Sequence, residues 1–231
     1  MSGTARTIIY ACLLAPRLLW AIDVSEVGRP PDTETVYIGN VIQNGVPMQM
    51  EQIRSSLAPE ELLAFYKQKW ADNTTTMRKT PVFLEKEAGP WKILSKLDGK
   101  YNIVVQIKDN QGHGSEGYIS VSDLTQPPEI SRIQKEFPRL GGTKLVSSTQ
   151  ARDEGKIATT LILRNEYSVD SNDAFYRSEL TANGWRLIHG ELRDGSAVML
   201  FDKRNQQCEL AVSREGYGDS VIFANITESS K

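Results

Sequence analysis

The sequence predicts an α+β protein of two tandem modules, each an antiparallel sheet with one main helix packed on it, in the order β-β-α-β-β-β-β. Three observations carry this. The string Ala64-Phe65-Tyr66-Lys67 returns as Ala174-Phe175-Tyr176-Arg177, 110 positions further on. At the same offset, without a gap, Asn44-Gly45 falls on Glu154-Gly155, Ile53 on Leu163 and Arg54 on Arg164. Each aromatic string sits in an apolar stripe at helical spacing, with short alternating runs before and after it.

Length and composition allow this plan. The chain has 231 residues, 39% apolar and 24% charged, a globular balance and not a disordered one. Modules of roughly 85–90 residues can each bury a core. Net charge is −2 with acids and bases interleaved, so no basic run marks a nucleic-acid footprint and no partner is held by bulk charge.

The N-terminus reads as an address. Arg6 precedes a short apolar block from Thr7 to Leu14, and small residues lead to Ala21. That is the pattern of a secretory signal peptide over residues 1–21. The block is far short of the ~20 residues that span a bilayer, so no transmembrane segment is expected. Arg17 interrupts the run and Leu19 is bulky for the position three before the cut; an ordinary buried helix is the competing reading. Too little apolar chain precedes Cys12 for a lipid anchor. Cleavage after Ala21 leaves Cys208 alone, without an internal disulfide. Its alternating surroundings read as a strand that buries it as a small apolar side chain.

The first module is placed at residues 34–124, after a polar lead-in from Ile22 to Asp32 that reads as extended. Asn44-Gly45 between two apolar runs is a hairpin signal, because both turn residues need positive φ. Met48, Met50 and Gln52 then share one strand face. Pro59, Glu60 and Glu61 open a helix, where Pro is tolerated and acids complement the dipole. Leu62, Leu63, Phe65, Tyr66 and Trp70 form its apolar face, and it ends near Asp72-Asn73. Strands follow at Pro81–Glu85, Trp91–Leu97, Tyr101–Lys108 and Gly117–Leu124, with Asp98-Gly99 and residues 109–112 as turns.

Pro127-Pro128 breaks the pattern, and residues 125–142 read as a linker holding a short amphipathic helix near Ile130 to Phe137. The second module, residues 143–227, repeats the plan. Strands at Lys144–Gln150 and Lys156–Leu163 flank Asp153-Glu154-Gly155. Ser168 to Asp173 is rich in capping residues, Phe175, Tyr176 and Leu180 give the helix face, and Asn183-Gly184 stops it. Trp185-Arg186-Leu187-Ile188 starts the return, followed by Ala197–Phe201, Glu209–Ser213 and Ser220–Ile226.

A helix carrying Phe175-Tyr176-Arg177, then Leu180 and Gly184-Trp185, then short strands, resembles modules that recur in secreted bacterial proteins of unassigned function. Phe137-Pro138-Arg139-Leu140-Gly141 stands where those modules carry a Tyr/Phe-Pro-Gly-like start. The likeness covers residues 137–227. The first copy departs from it, with Asn73-Thr74-Thr75-Thr76 in place of Gly-Trp. The resemblance implies an envelope setting and carries no assigned catalysis.

Chemistry is sparse. Gly112-His113-Gly114-Ser115-Glu116-Gly117 matches the spacing of a dinucleotide fingerprint, but a strand follows it where a helix is needed to receive phosphates. Gly141-Gly142-Thr143-Lys144 lacks the residue order of a phosphate loop. His113 has Asp109, Ser115 and Glu116 near it in sequence, but on a hairpin without an orienting scaffold. His113, His189 and Cys208 do not make a zinc set by themselves. No cofactor and no metal is expected. The candidate contact residues are Trp70, Trp91, His113 and Tyr217. Uncovered aromatic surface and free sheet edges are the candidate contact features. The expected function is a non-enzymatic accessory or scaffold protein of the bacterial envelope, periplasmic or secreted, in an assembly such as a secretion or pilus system, with protein partners there. The alternative is a periplasmic module that binds a small ligand or peptide between the two copies. A hydrolase using His113 or His189 is the third reading.

Overall fold

The computed structural model describes residues 22–72, 83–153, 155–216 and 218–229. The expected signal peptide, residues 73–76 and Tyr217 lie outside the described residues. The first half comprises β1 (Thr33–Gln43), β2 (Val46–Ser55), α1 (Pro59–Asp72), β3 (Phe83–Ala88), β4 (Trp91–Asp98), β5 (Tyr101–Asp109) and β6 (Ser115–Asp123). A short helix, α2 (Arg132–Glu136), precedes β7 (Lys144–Asp153), β8 (Lys156–Asn165), α3 (Val169–Ala182), β9 (Arg186–Arg193), β10 (Ser196–Lys203), β11 (Gln206–Glu215) and β12 (Asp219–Ser229). Asn44 and Gly45 turn the first hairpin at φ of 50° and 83°. Ser168 caps α3 by accepting from the Ser171 N–H. None of the described helices is long and apolar enough to cross a membrane.

The expected fold class needs correction. The sequence predicts two helix-on-sheet repeats, each with its own sheet. The structure instead holds one continuous antiparallel sheet of 12 strands, in the order β3-β4-β5-β6-β2-β1-β7-β8-β12-β11-β10-β9. The join is the pairing of β1 with β7, with Val41 opposite Ala151, Ile42 opposite Gln150 and Gln43 opposite Thr149. The physical reason is the edge. A free strand edge leaves backbone N–H and C=O groups unpaired, and β1 and β7 satisfy part of each other's rows. Asn44 extends the join: its N–H donates to the Ser148 carbonyl (2.7 Å) and its Oδ1 accepts from the Ser148 N–H (2.8 Å). Gln43 adds side-chain bonds to Ser147 and Thr149.

The register carries one face of the sheet across the join. Ile42 lies opposite Gln150, and Gln150 opposite Thr159, on the side where both long helices pack. Under α1, the side chains of Leu62, Tyr66 and Trp70 meet Ile53, Leu94, Val105, Ile107 and Ile119. Under α3, Tyr176 and Leu180 meet Leu161, Leu163, Phe201, Cys208, Leu210 and Ile222. Burying each large apolar side chain contributes about 1.5–3 kcal/mol. Phe65 and Phe175 flank these cores, each edge-on to the next tyrosine, with centroids 5.3 and 5.0 Å apart.

The lead-in also differs from the extended segment expected. Val24–Val27 forms a 3₁₀ turn, capped by Asp23, with Val24 and Val27 buried. It covers the polar residues that alternation places on the inner face of β2. The Val24 N–H donates to Gln49 Oε1 (3.0 Å), and Arg29 Nη2 reaches both Glu51 carboxylate oxygens (2.8 and 2.9 Å). Glu51 is 4% exposed, so its charge is held inside only because a guanidinium meets it there.

Candidate functional site

Of the four predicted contact residues, three lie among the described residues, and these three do not share one surface. Trp70 is 3% exposed and packs between Tyr66 and Phe83, at centroid distances of 5.8 and 5.9 Å. Its helix spacing makes it a core residue, out of reach of a partner. Trp91 opens β4 on the opposite, helix-free face. It lies 6.1 Å from the Tyr118 ring with the Lys108 ammonium 5.3 Å above it, and Lys108 in turn pairs with Glu116 (2.9 Å). His113 is exposed in the turn between β5 and β6, at the same end of the ladder as Trp91, since Lys92 pairs with Ile107 and Asp109 with Ser115. Tyr217 lies outside the described residues.

The glycine spacing around His113 has a packing cause. A Cβ on Gly114 would stand 2.1 Å from the Ser55 carbonyl oxygen, and one on Gly117 would stand 2.0 Å from that of Gln106. Only glycine permits this approach of strand and turn. Asp109 accepts from the Gly112 N–H (2.9 Å) and so closes the turn. Among the described residues neither His113 nor His189 makes a side-chain hydrogen bond, and no group of three or more His, Cys, Asp or Glu is placed to hold a metal ion. Cys208 is fully buried, and that burial pushes its thiol up to about 12. A thiol held protonated there is a poor nucleophile.

Among the described residues, three of the surface hollows bear on a contact site. The first lies on the helix-free face of the sheet. At its far end from Trp91 that face carries an apolar hollow of about 320 Å³, walled by Val198, Leu200, Ala211 and Phe223 and edged by His189 and Glu209. Val198 and Phe223 are 46% and 44% exposed, and alternation along β10 and β12 turns them outward. The second is a groove of about 330 Å³ on the helix side of the join, lined by Ile42, Ile130, Arg132, Ile133, Gln150 and Arg152. The third is a smaller crevice of about 160 Å³ between α2, the end of α3 and the return strands, walled by Phe137, Leu180 and Trp185. Sequence reading expected a site between the two copies, where the second lies, without naming its residues, and it missed the other two. Each is assembled from segments far apart in the chain, although the exposed apolar positions of β10 and β12 were visible as outward members of an alternating run.

Electrostatics across these surfaces is local. Asp123, beside the β4–β5 turn, accepts from Lys100 Nζ (2.6 Å) and from the Thr125 hydroxyl (2.6 Å), and these bonds hold its carboxyl well below the usual range. Arg186 and Asp202 pair on the helix-free face, which keeps the Asp202 carboxyl low. The outer strands β3 and β9 carry Glu85, Lys86 and Glu87, and Arg186, Glu191 and Arg193, charges that guard a free edge against unwanted pairing. No protein-family model, no curated protein and no solved structure matches this chain.

Proposed function

We propose that the protein is a non-enzymatic accessory or scaffold protein of the bacterial envelope, exported by its N-terminal segment and acting through protein partners. The observation that carries the reading is the helix-free face of the 12-stranded sheet. It is a broad surface with an aromatic and basic patch at Trp91, Tyr118 and Lys108, and an apolar hollow at Val198 and Phe223. Apolar and aromatic residues left on an otherwise polar surface are the usual material of a contact site. A secretion or pilus system is the kind of assembly such a platform serves.

The platform also favours descent of both halves from one ancestral segment. Helices α1 and α3 are each 14 residues long and bury the same positions in the same order. Strands β2 and β8 share one burial pattern. Ser115 and Ser220 donate to the Leu57 and Tyr167 carbonyls, both at 2.6 Å. The join brings Val41 opposite Ala151, residues 110 apart, so equivalent positions of the two halves meet there.

Photo-crosslinking in the native envelope tests the proposal, with the reactive group placed at Val198 or Phe223 and, as control, at the edge residue Lys86. Discrete adducts from the two face positions and none from Lys86 are expected. No adduct from either face position sinks the reading. The groove at the join favours the second reading, a small ligand or peptide bound between the halves. Its test is a rise in melting temperature with added peptide that Arg152→Ala abolishes.

A further inference from the structure

Most of β1 has no neighbour on its outer side. The strand runs from Thr33 to Gln43, and its pairing with β7 engages only Val41, Ile42 and Gln43, with Asn44 beyond them. Among the described residues nothing pairs with the outer edge of Thr33–Asn40. Both faces of the sheet are open there. Val36 and Tyr37, which alternation turns to opposite sides, are 62% and 54% exposed. Such an edge presents a row of free backbone N–H and C=O groups between apolar side chains, which is a template for one more strand.

The other open edges are guarded. Strands β3 and β9 carry the charges described above. The matching stretch of β7, Lys144–Ser147, is shorter, starts with a lysine, and has Ser147 held by the Gln43 side chain (2.9 Å). β1 lacks such a guard. From Thr33 to Tyr37 the one charged residue is Glu34, and Arg54 stands opposite it in the ladder to β2. The register to β2 shifts between Tyr37 and Gly39. This bulge ends the flat run, so the usable edge is Thr33–Tyr37, about the length of an ordinary strand.

We propose that Thr33–Tyr37 is a docking edge for an extended segment of a partner protein, apolar at alternate positions, which adds as a strand in the lane that β7 fills further along. The mode of pairing is already in use, since β7 takes the same edge of β1 at Val41–Gln43. A second copy of this chain fits less well. Its own second half is attached at the Val41 end of that edge, and antiparallel pairing of two β1 strands drives that half into the Pro30-Pro31 lead-in that precedes Thr33. The source of the strand, a partner in the envelope, rests on the reading above; the acceptance of a strand does not.

The test uses the full chain and the strand-forming peptide acetyl-Lys-Val-Thr-Val-Thr-Val-Lys-amide, followed by amide hydrogen exchange residue by residue. In the protein alone the outward-facing amides of Thr33–Tyr37 should exchange freely. With peptide they should become protected, with a dissociation constant of about 1 mM, while the edge amides of Phe83–Ala88 and Arg186–Arg193 stay unchanged. The same peptide with proline in place of both threonines keeps the charges and the valines but cannot sustain a ladder, and should bind roughly tenfold more weakly or less. No protection at Thr33–Tyr37 overturns the proposal. So does equal protection by the proline peptide, or equal protection at all three edges. Protection that rises with protein concentration in the absence of peptide also overturns it, because a second copy then fills the edge. Loss of the envelope crosslinks from Val198 and Phe223 with protection at Thr33–Tyr37 intact removes the platform reading and leaves the docking edge standing.

Discussion

Asn44 is the place to test how the two halves are joined. It makes two bonds to Ser148, one from its backbone N–H and one through its side-chain Oδ1. Beyond these and the Gln43 side chain, the pairing of β1 with β7 is three residue pairs long. Asn44→Gly keeps the positive φ of 50° accessible and removes only the Oδ1 acceptor. The Ser148 amide then loses its partner, at a net cost of about 1 kcal/mol, or about a fivefold rise in local opening. Asn44→Ala removes the same bond and adds a left-handed backbone cost of about 1 kcal/mol, so opening should rise by about thirtyfold. Native-state hydrogen exchange reads both numbers at the Ser148 amide, with the buried Leu210 strand as an internal reference. Exchange at Ser148 that is the same in wild type and Asn44→Gly would refute the reasoning. So would an increase spread equally over Leu210, because the effect would then be global and not seated at the join.

Other outcomes follow from the same contacts. Arg29→Ala strands the Glu51 carboxylate in the interior and should lower stability by about 2–3 kcal/mol, less than a fully buried pair because Arg29 is partly exposed; Arg29→Ala with Glu51→Leu should recover most of that loss in urea melts. Tyr66→Phe should cost about 1 kcal/mol because the Tyr66 hydroxyl donates to the Gly28 carbonyl (3.2 Å). Tyr176→Phe should cost nothing or stabilise, since the buried Tyr176 hydroxyl has no partner among the described residues; equal losses at the two positions would contradict this. Asp123 has a carboxyl pKa held below its unfolded value by Lys100 and Thr125. Its contribution is therefore fully present above about pH 4, the unfolded carboxylate value, and fades as pH falls toward the folded one. The deficit of Asp123→Asn should accordingly be constant near neutrality and shrink in acid, as a series of pH-dependent melts would record.

Much of the local structure was legible in the residues. Asn44-Gly45 named its hairpin because few other pairs take positive φ twice in a row. Pro59-Glu60-Glu61 marked the start of α1, and the spacing of Leu62, Tyr66 and Trp70 marked its inner face. Gly112 to Gly117 could be separated from a nucleotide loop by the strand that follows it. The buried polar row of β2 was not legible. Alternation along β2 does not say which face is covered, and it is the 3₁₀ turn and Arg29 that cover Gln49 and Glu51. Of the contact residues, Trp91 lies on an open face, whereas Trp70 belongs to the core, and helical periodicity alone does not say how completely a helix end is covered.

By itself the sequence determined the elements, their order in each half and the aromatic helix that each half packs, because turn chemistry and side-chain period act between neighbours along the chain. Only the tertiary structure decided that the twelve strands form one sheet, that both long helices pack on the same face of it, and that the ring beside Tyr66 comes from Trp70 whereas the ring beside Tyr176 comes from Phe137. Those outcomes depend on which strand edges meet and on how volumes add up among residues a hundred positions apart, and no local pattern encodes either.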